Sequence, residues 1–339
     1  MTSPGAVANI EDPQGVNLSF WRELTTPAEY FRLKVSPVYY GWGVPRGNGE
    51  PVILVPGFLG CDLYLTEMYL WLRRMGYRPH MSHIGQNAEC PDLLIHRLMS
   101  TVNRVYAQTG EPIHLIGHSL GGVLARGIAA RRPDRVASIT TLGSPFRGVR
   151  VNPWVYRTIE YVRKRIHGRR SRGKQCFTTS CACGFSCTMR YDFPAELPQT
   201  AIYTKSDGVV DWPVCINDDP KTDVEVTGTH VGLVWNAEVY RVVAKRLSEA
   251  NDFRREAESA ATTRKTARKS AAKSTKTKRA AKRTSPLNGA SKARESASVA
   301  TDATASVPAP KEARPKPVVR RAKQRAQGAP PVRRQSRVT

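Results

Sequence analysis

The hydrophobic rhythm of the chain changes at regular intervals, and each change marks an element. Val52–Val55 (VILV) is wholly apolar, the pattern of a short strand buried on both faces. Tyr64–Arg74 has helical spacing, Tyr77–Ile84 reads as extended, and 91–109 is helical again. Ile113–Ile116 is a second apolar strand, Leu120–Arg132 a small-residue helix stopped by Pro133, and Val136–Leu142 a third strand. The alternation breaks at Gly143-Ser144-Pro145 and resumes with strands at Thr200–Thr204 and Val224–Val226 and a helix from about Val234 to Glu249. Buried strands alternating with helices predict parallel β-α-β units and a doubly wound sheet over 50–250. The interruption at about 146–198 predicts a cap inserted over one sheet edge. Residues 1–49 read as an arm, loose over 1–17, whose aromatic and charged stretch 18–34 is interrupted by Pro27.

Charge changes the picture at the C-terminus. The chain has 339 residues and a net charge of +25. Residues 261–339 hold 22 Lys/Arg against 3 Asp/Glu and no aromatic, so they carry +19 and leave +6 for the rest. Such a stretch has nothing to bury, so 251–339 is expected to be a disordered cationic tail. Nucleic acid, an anionic polymer or an anionic lipid surface would all satisfy its charge. A second basic run, Arg163-Lys164-Arg165 with Arg169, Arg170, Arg172 and Lys174, lies in the cap. No apolar run is long enough for a spanning helix, and the first residues lack the pattern of a secretory signal. With seven cysteines, an odd number, the expected setting is a reducing cytoplasm.

The chemistry centres on Gly117-His118-Ser119-Leu120-Gly121, a G-x-S-x-G between an apolar strand and a small-residue helix. The pentapeptide alone is a weak signal. Its strand–turn–helix setting is a strong one, because it lifts a serine hydroxyl clear of the sheet beside a helix N-terminus. Such a hydroxyl needs a base and an orienting acid. Asp207 follows the strand TAIYT, just before Gly208, with Asp211 as the rival acid. His230 follows the next strand, in GTHVG. The oxyanion of an acyl transfer would need two N–H donors, for which the amides of Leu120 and Phe58 are the candidates.

VILVPGFLG, HLIGHSLGG, TLGSPFRG, YTKSDGVVDW and GTHVGL together resemble the α/β-hydrolase superfamily, in its bacterial lipase/esterase branch. The resemblance implies Ser119 as nucleophile, Asp207 as acid, His230 as base and Phe58 and Leu120 as oxyanion amides. The function expected from these residues is serine ester hydrolysis of an acyl ester, lipid-like in kind, without a cofactor. Pro56-Gly57 stands where many such lipases have His-Gly. An acyltransferase on the same triad is the alternative. So is a catalytically silent fold tethered by its tail to nucleic acid or a storage granule. In the cap, Cys176, Cys181, Cys183 and Cys187 are open between free thiols, a structural metal site and disulfides. Cys61, Cys90 and Cys215 read as small buried apolar residues.

Overall fold

A computed structural model describes residues 14–170, 194 and 196–281. It divides into units 1–277 and 278–339, of which the second is described only in its first four, helical residues. Six parallel strands form the main sheet: β2 (Pro51–Val55), β3 (Arg78–Met81), β4 (Ile113–His118), β5 (Val136–Leu142), β7 (Gln199–Tyr203) and β8 (Asp223–Glu225). Their order is β3-β2-β4-β5-β7-β8. Two short strands, β1 (Gln14–Gly15) and β6 (Arg150–Val151), pair with each other in parallel.

The apolar run of β2 has a reason on each face. Val52 and Leu54 pack with α1 (Thr26–Val35), α2 (Thr66–Arg74) and α6 (Ala237–Ala281). Ile53 and Val55 point the other way, against α3 (Pro91–Thr109) and α4 (Leu120–Arg131). Alternation along a strand thus supplies two cores from one run. Pro91 and Gly110 bound α3 as start and stop signals, the glycine at φ 71°. The doubly wound sheet expected over 50–250 is the one observed.

Pro27 interrupts the stretch 18–34 as expected: the 3-10 helix Phe20–Thr25 ends before it, and it occupies the first turn of α1, where its missing N–H costs nothing. Two expectations change. The arm is not loose from residue 14 on, since Gln14 and Val16 donate to the carbonyls of Val149 and Val151 at 2.7 Å. The last helix does not stop at Glu249 but continues to Ala281, so helix replaces the expected disorder over 251–281. Ala, Lys, Arg and Glu, which fill that stretch, are strong helix formers even without a core to pack on. The rest of the tail, 282–339, lies outside the described residues. So do 171–193 of the cap, whose opening is β6 and α5 (Pro153–Arg170). Among the described residues no helix is long and apolar enough to cross a membrane.

Candidate active site

Ser119 sits between β4 and α4 at φ 52°, ψ −125°, a conformation a non-glycine residue rarely adopts. It is held there from both sides: its N–H donates to Leu142 O at 2.7 Å, and its carbonyl accepts from Gly122 N at 3.0 Å. The glycines of the motif are steric necessities. A Cβ on Gly117 would lie 2.4 Å from the Gly122 backbone, and one on Gly121 would lie 2.3 Å from Val55 O.

The acid and the base come from the next two loops on the same sheet edge. Asp207 Oδ2 is 2.6 Å from His230 Nδ1. Its other oxygen accepts from the Val209 and Val210 N–H groups at 2.8 and 2.7 Å. Both side chains are almost wholly buried. Asp211 is committed elsewhere, 3.0 Å from Arg150 Nε at the start of a 3-10 helix. With Nδ1 engaged, Nε2 is the ring nitrogen left to take a proton. Burial alone would disfavour the imidazolium. The charge and hydrogen bond of Asp207, with the charge of Glu23, outweigh it and raise the pKa of His230 above its ordinary value.

His118, beside the serine, is the opposite case. Burial and the proximity of His230 push its pKa down to about 3, so it is neutral. Its Nε2–H donates to the His230 carbonyl at 3.0 Å, which fixes the tautomer, because a carbonyl can only accept. Nδ1 then accepts from the Tyr64 hydroxyl at 2.9 Å, and that hydroxyl accepts from Gly57 N–H at 2.5 Å. The chain of bonds ties the loop after β2 to the elbow and to the backbone of the histidine loop.

The same bonds bear on the oxyanion candidates. Gly57 donates to Tyr64, Leu59 to Asn87 O and Ser119 to Leu142 O. Among the described residues, the N–H groups of Phe58 and Leu120 have no acceptor. Phe58, Ser119, Leu120 and His230 all border one cavity of about 440 Å³, lined also by Val149, Trp154, Ile159 and Val210. Its wall is apolar, and Phe20, Leu59 and Trp154 stand partly exposed at it.

Each of the five candidates from the sequence therefore converges on this cavity except Asp207, which reaches it through His230. The sequence reading missed Tyr64 and the arm residues Glu23 and Glu29, which bond the Gly208 and Thr229–Val231 backbone from about 200 positions away. Only Tyr64 had a local signal, by lying just beyond the loop after β2. The cap cysteines Cys176, Cys181, Cys183 and Cys187 lie outside the described residues. Among the described residues no cluster of His, Cys, Asp and Glu could hold a metal ion. Cys90 and Cys215 are buried as expected, whereas Cys61 is exposed, because it precedes a surface 3-10 turn. Of the basic run, Arg163 pairs with Glu160 at 2.7 Å, and Lys164 and Arg165 are exposed.

Residues 107–175 match the family model for the alpha/beta hydrolase fold. A triacylglycerol lipase of Burkholderia plantarii is 36% identical over 125 residues, 34% of this chain and 35% of that protein. One of Pseudarthrobacter phenanthrenivorans is 36% identical over 107 residues, 29% and 34% of the two chains. The chain thus spans about a third of the length of these curated relatives. Among solved structures, naproxen esterase (carboxylesterase NP) of Bacillus subtilis superposes with a TM-score of 0.39 at 13% identity, covering 68% of this chain and 96% of its own.

Proposed function

We propose that this chain, an α/β-hydrolase by fold and lipase/esterase-like in sequence, is a serine ester hydrolase working through an acyl-enzyme. The observation that carries the reading is the buried Asp207–His230 pair at 2.6 Å, whose histidine borders the same apolar cavity as Ser119 in its strained elbow.

In this reading Ser119 Oγ adds to the ester carbonyl as its proton passes to His230 Nε2. Asp207 holds the ring in the tautomer that can receive the proton and stabilises the imidazolium. The carbonyl oxygen becomes an oxyanion between the Phe58 and Leu120 N–H groups, each good donor contributing about 3–4 kcal/mol at the transition state. Collapse breaks the bond to the alkoxy oxygen, which takes the proton from His230 and leaves as the alcohol. Water, deprotonated by the same histidine, then releases the acid and restores Ser119.

An apolar wall around about 440 Å³ suits an acyl chain and offers little to a polar acyl group, which supports a lipid-like ester as substrate. The triacylglycerol lipases it resembles point the same way. We read the +19 of residues 261–339 as a separate attachment to a polyanion, resting on sequence charge alone.

A fluorophosphonate probe and p-nitrophenyl esters of increasing chain length test the proposal on the full chain. Wild type is expected to be labelled and to hydrolyse the esters. Ser119→Ala is expected to stay folded, escape labelling and lose at least about a thousandfold in kcat. Activity within tenfold of wild type in a folded Ser119→Ala protein defeats the assignment.

A further inference from the structure

The catalytic loops are held by a carboxylate that belongs to neither of them. Glu23 lies in the 3-10 turn Phe20–Thr25 that leads into α1. Its Oε1 accepts from Gly208 N–H at 3.1 Å and from His230 N–H at 3.0 Å, and its Oε2 accepts from Val231 N–H at 3.0 Å. One side chain thus bridges the residue after Asp207 and the two residues at His230. It does so across 185 to 208 positions of chain.

The clamp has a second tooth six residues on. Glu29 accepts from Thr229 N–H at 2.8 Å and from the Thr229 hydroxyl at 2.9 Å, and Thr26 Oγ1 is 3.0 Å from Thr229 Oγ1. Burial raises the pKa of Glu29, with the charge of Glu23 adding to it, against the hydrogen bonds from Thr229. The fit leaves no spare room. A Cβ on Gly208 would fall 2.9 Å from Ser19 O, and one on Gly232 would overlap the Glu29 carboxylate. The arm is anchored in turn to the start of the cap, where Asn152 Nδ2 donates to Leu18 O at 3.0 Å.

We infer that Glu23 is a positioning residue of the active site, fixing the distance between Asp207 and His230 and adding a second negative charge behind the imidazole. The inference rests on the esterase reading for its kinetic consequence but not for its electrostatic one. Backbone N–H groups held by a carboxylate make charge-assisted hydrogen bonds, about twice as strong as neutral ones. Three of them on one residue leave neither loop free to shift alone. The titratable groups facing His230 are Asp207 on its Nδ1, Glu23 behind its backbone and neutral His118 across the elbow, with Glu29 one residue back on Thr229. Of these, Asp207 and Glu23 raise the pKa of the ring, and Glu23 does so by charge alone.

The test is Glu23→Gln in the full chain, which keeps the shape, removes the charge and turns an N–H donor toward other N–H donors. The His230 imidazole is titrated by NMR alongside the pH profile of kcat/KM on a soluble p-nitrophenyl ester. The midpoint of His230 is expected to fall by at least about half a pH unit. The acid limb of kcat/KM should follow it downward, and kcat should drop about 10- to 100-fold with KM within about twofold. Glu23→Asp, which keeps the charge but withdraws it by one methylene, should give an intermediate midpoint and serves if the glutamine variant does not fold. A merely structural glutamate would lower the melting temperature and leave the His230 midpoint where it was. A wild-type midpoint in whichever variant folds overturns the inference. If the wild-type chain neither hydrolyses esters nor reacts with fluorophosphonate, the esterase reading fails, and the NMR midpoints still decide the role of Glu23.

Discussion

Two aspartates four residues apart in the same loop are given different work by the backbone around them. Asp207 accepts two N–H bonds and faces His230; Asp211 faces Arg150, which is nearly half exposed. Asp207→Asn should therefore cost about 10³–10⁴ in kcat, since an amide favours the wrong imidazole tautomer. Asp211→Asn loses only a partly screened ion pair and should stay within a few-fold of wild type. The kcat/KM values of the two variants check the ranking, and a reversed order moves the acid to Asp211. The raised pKa of His230 sets opposite slopes for activity and stability. Catalysis needs the neutral ring, so kcat/KM should rise with pH through a midpoint above about 6.5, the ordinary histidine value. The imidazolium–Asp207 pair stabilises the fold fully below the unfolded value of about 6.5, and this contribution is lost as pH rises through the higher folded midpoint. Melting temperatures of wild type and His230→Gln across pH 5 to 9 should accordingly converge as pH rises, and a gap that widens contradicts the raised pKa. Ser119, Asp207 and His230 were legible in the sequence because each is marked locally, by glycines that permit a turn at a strand end. Glu23 was not. Its partners lie about 200 positions away, and an acidic residue among aromatics and arginines reads as surface.

At the scale of elements, strands were read more securely than helix ends, for a physical reason. A strand buried on both faces must be apolar throughout, as Val52–Val55 and Ile113–Ile116 are, whereas a helix ends wherever packing and capping allow. No proline or glycine follows Glu249 before Pro286, and the composition just beyond it favours helix, so nothing in the sequence marked the stop that was expected there. What fastens α6 to the sheet is a buried polar chain. His114 Nε2 donates to Asn251 Oδ1 at 2.9 Å, and Ser138 donates to His114 Nδ1 at 2.7 Å, linking α6, β4 and β5. Burial holds the pKa of His114 down to about 4, so the ring is neutral and both its nitrogens need partners. Asn251→Ala should destabilise the fold by about 1–3 kcal/mol, the cost of stranding the Nε2–H. His114 lies at the far end of β4 from Ser119, so kcat should be unchanged. Denaturant melts and kcat measured together decide it, and a loss of kcat without a loss of stability would contradict the separation of the two sites.

For the whole molecule, the boundary between enzyme and cationic extension falls later than the expected tail start at residue 251. Beyond Ala250, Arg254 reaches Glu111 at 3.5 Å and Arg255 reaches Glu50 at 3.1 Å, so these residues belong to the folded body together with Asn251. A chain ending at Ala250 should therefore be destabilised, whereas one ending at Ala260 keeps all three contacts and still removes the +19 of residues 261–339. The Ala260 chain should retain wild-type kcat on a soluble ester and lose polyanion binding. Residues 261–339 contain no aromatic on which a base could stack, so nucleic-acid binding should be blind to sequence and governed by counterion release. If about six to ten phosphates are neutralised, the affinity of the full chain for duplex DNA should fall about 10³–10⁵-fold between 50 and 200 mM salt. Anionic vesicles should compete, at about 1 kcal/mol for each Lys or Arg near the surface. Binding of both chains to duplex DNA and to anionic vesicles across a salt series is the measurement. Equal affinities for the two chains would transfer the binding to the cap's basic run, which both chains keep and of which Lys164 and Arg165 in α5 are exposed.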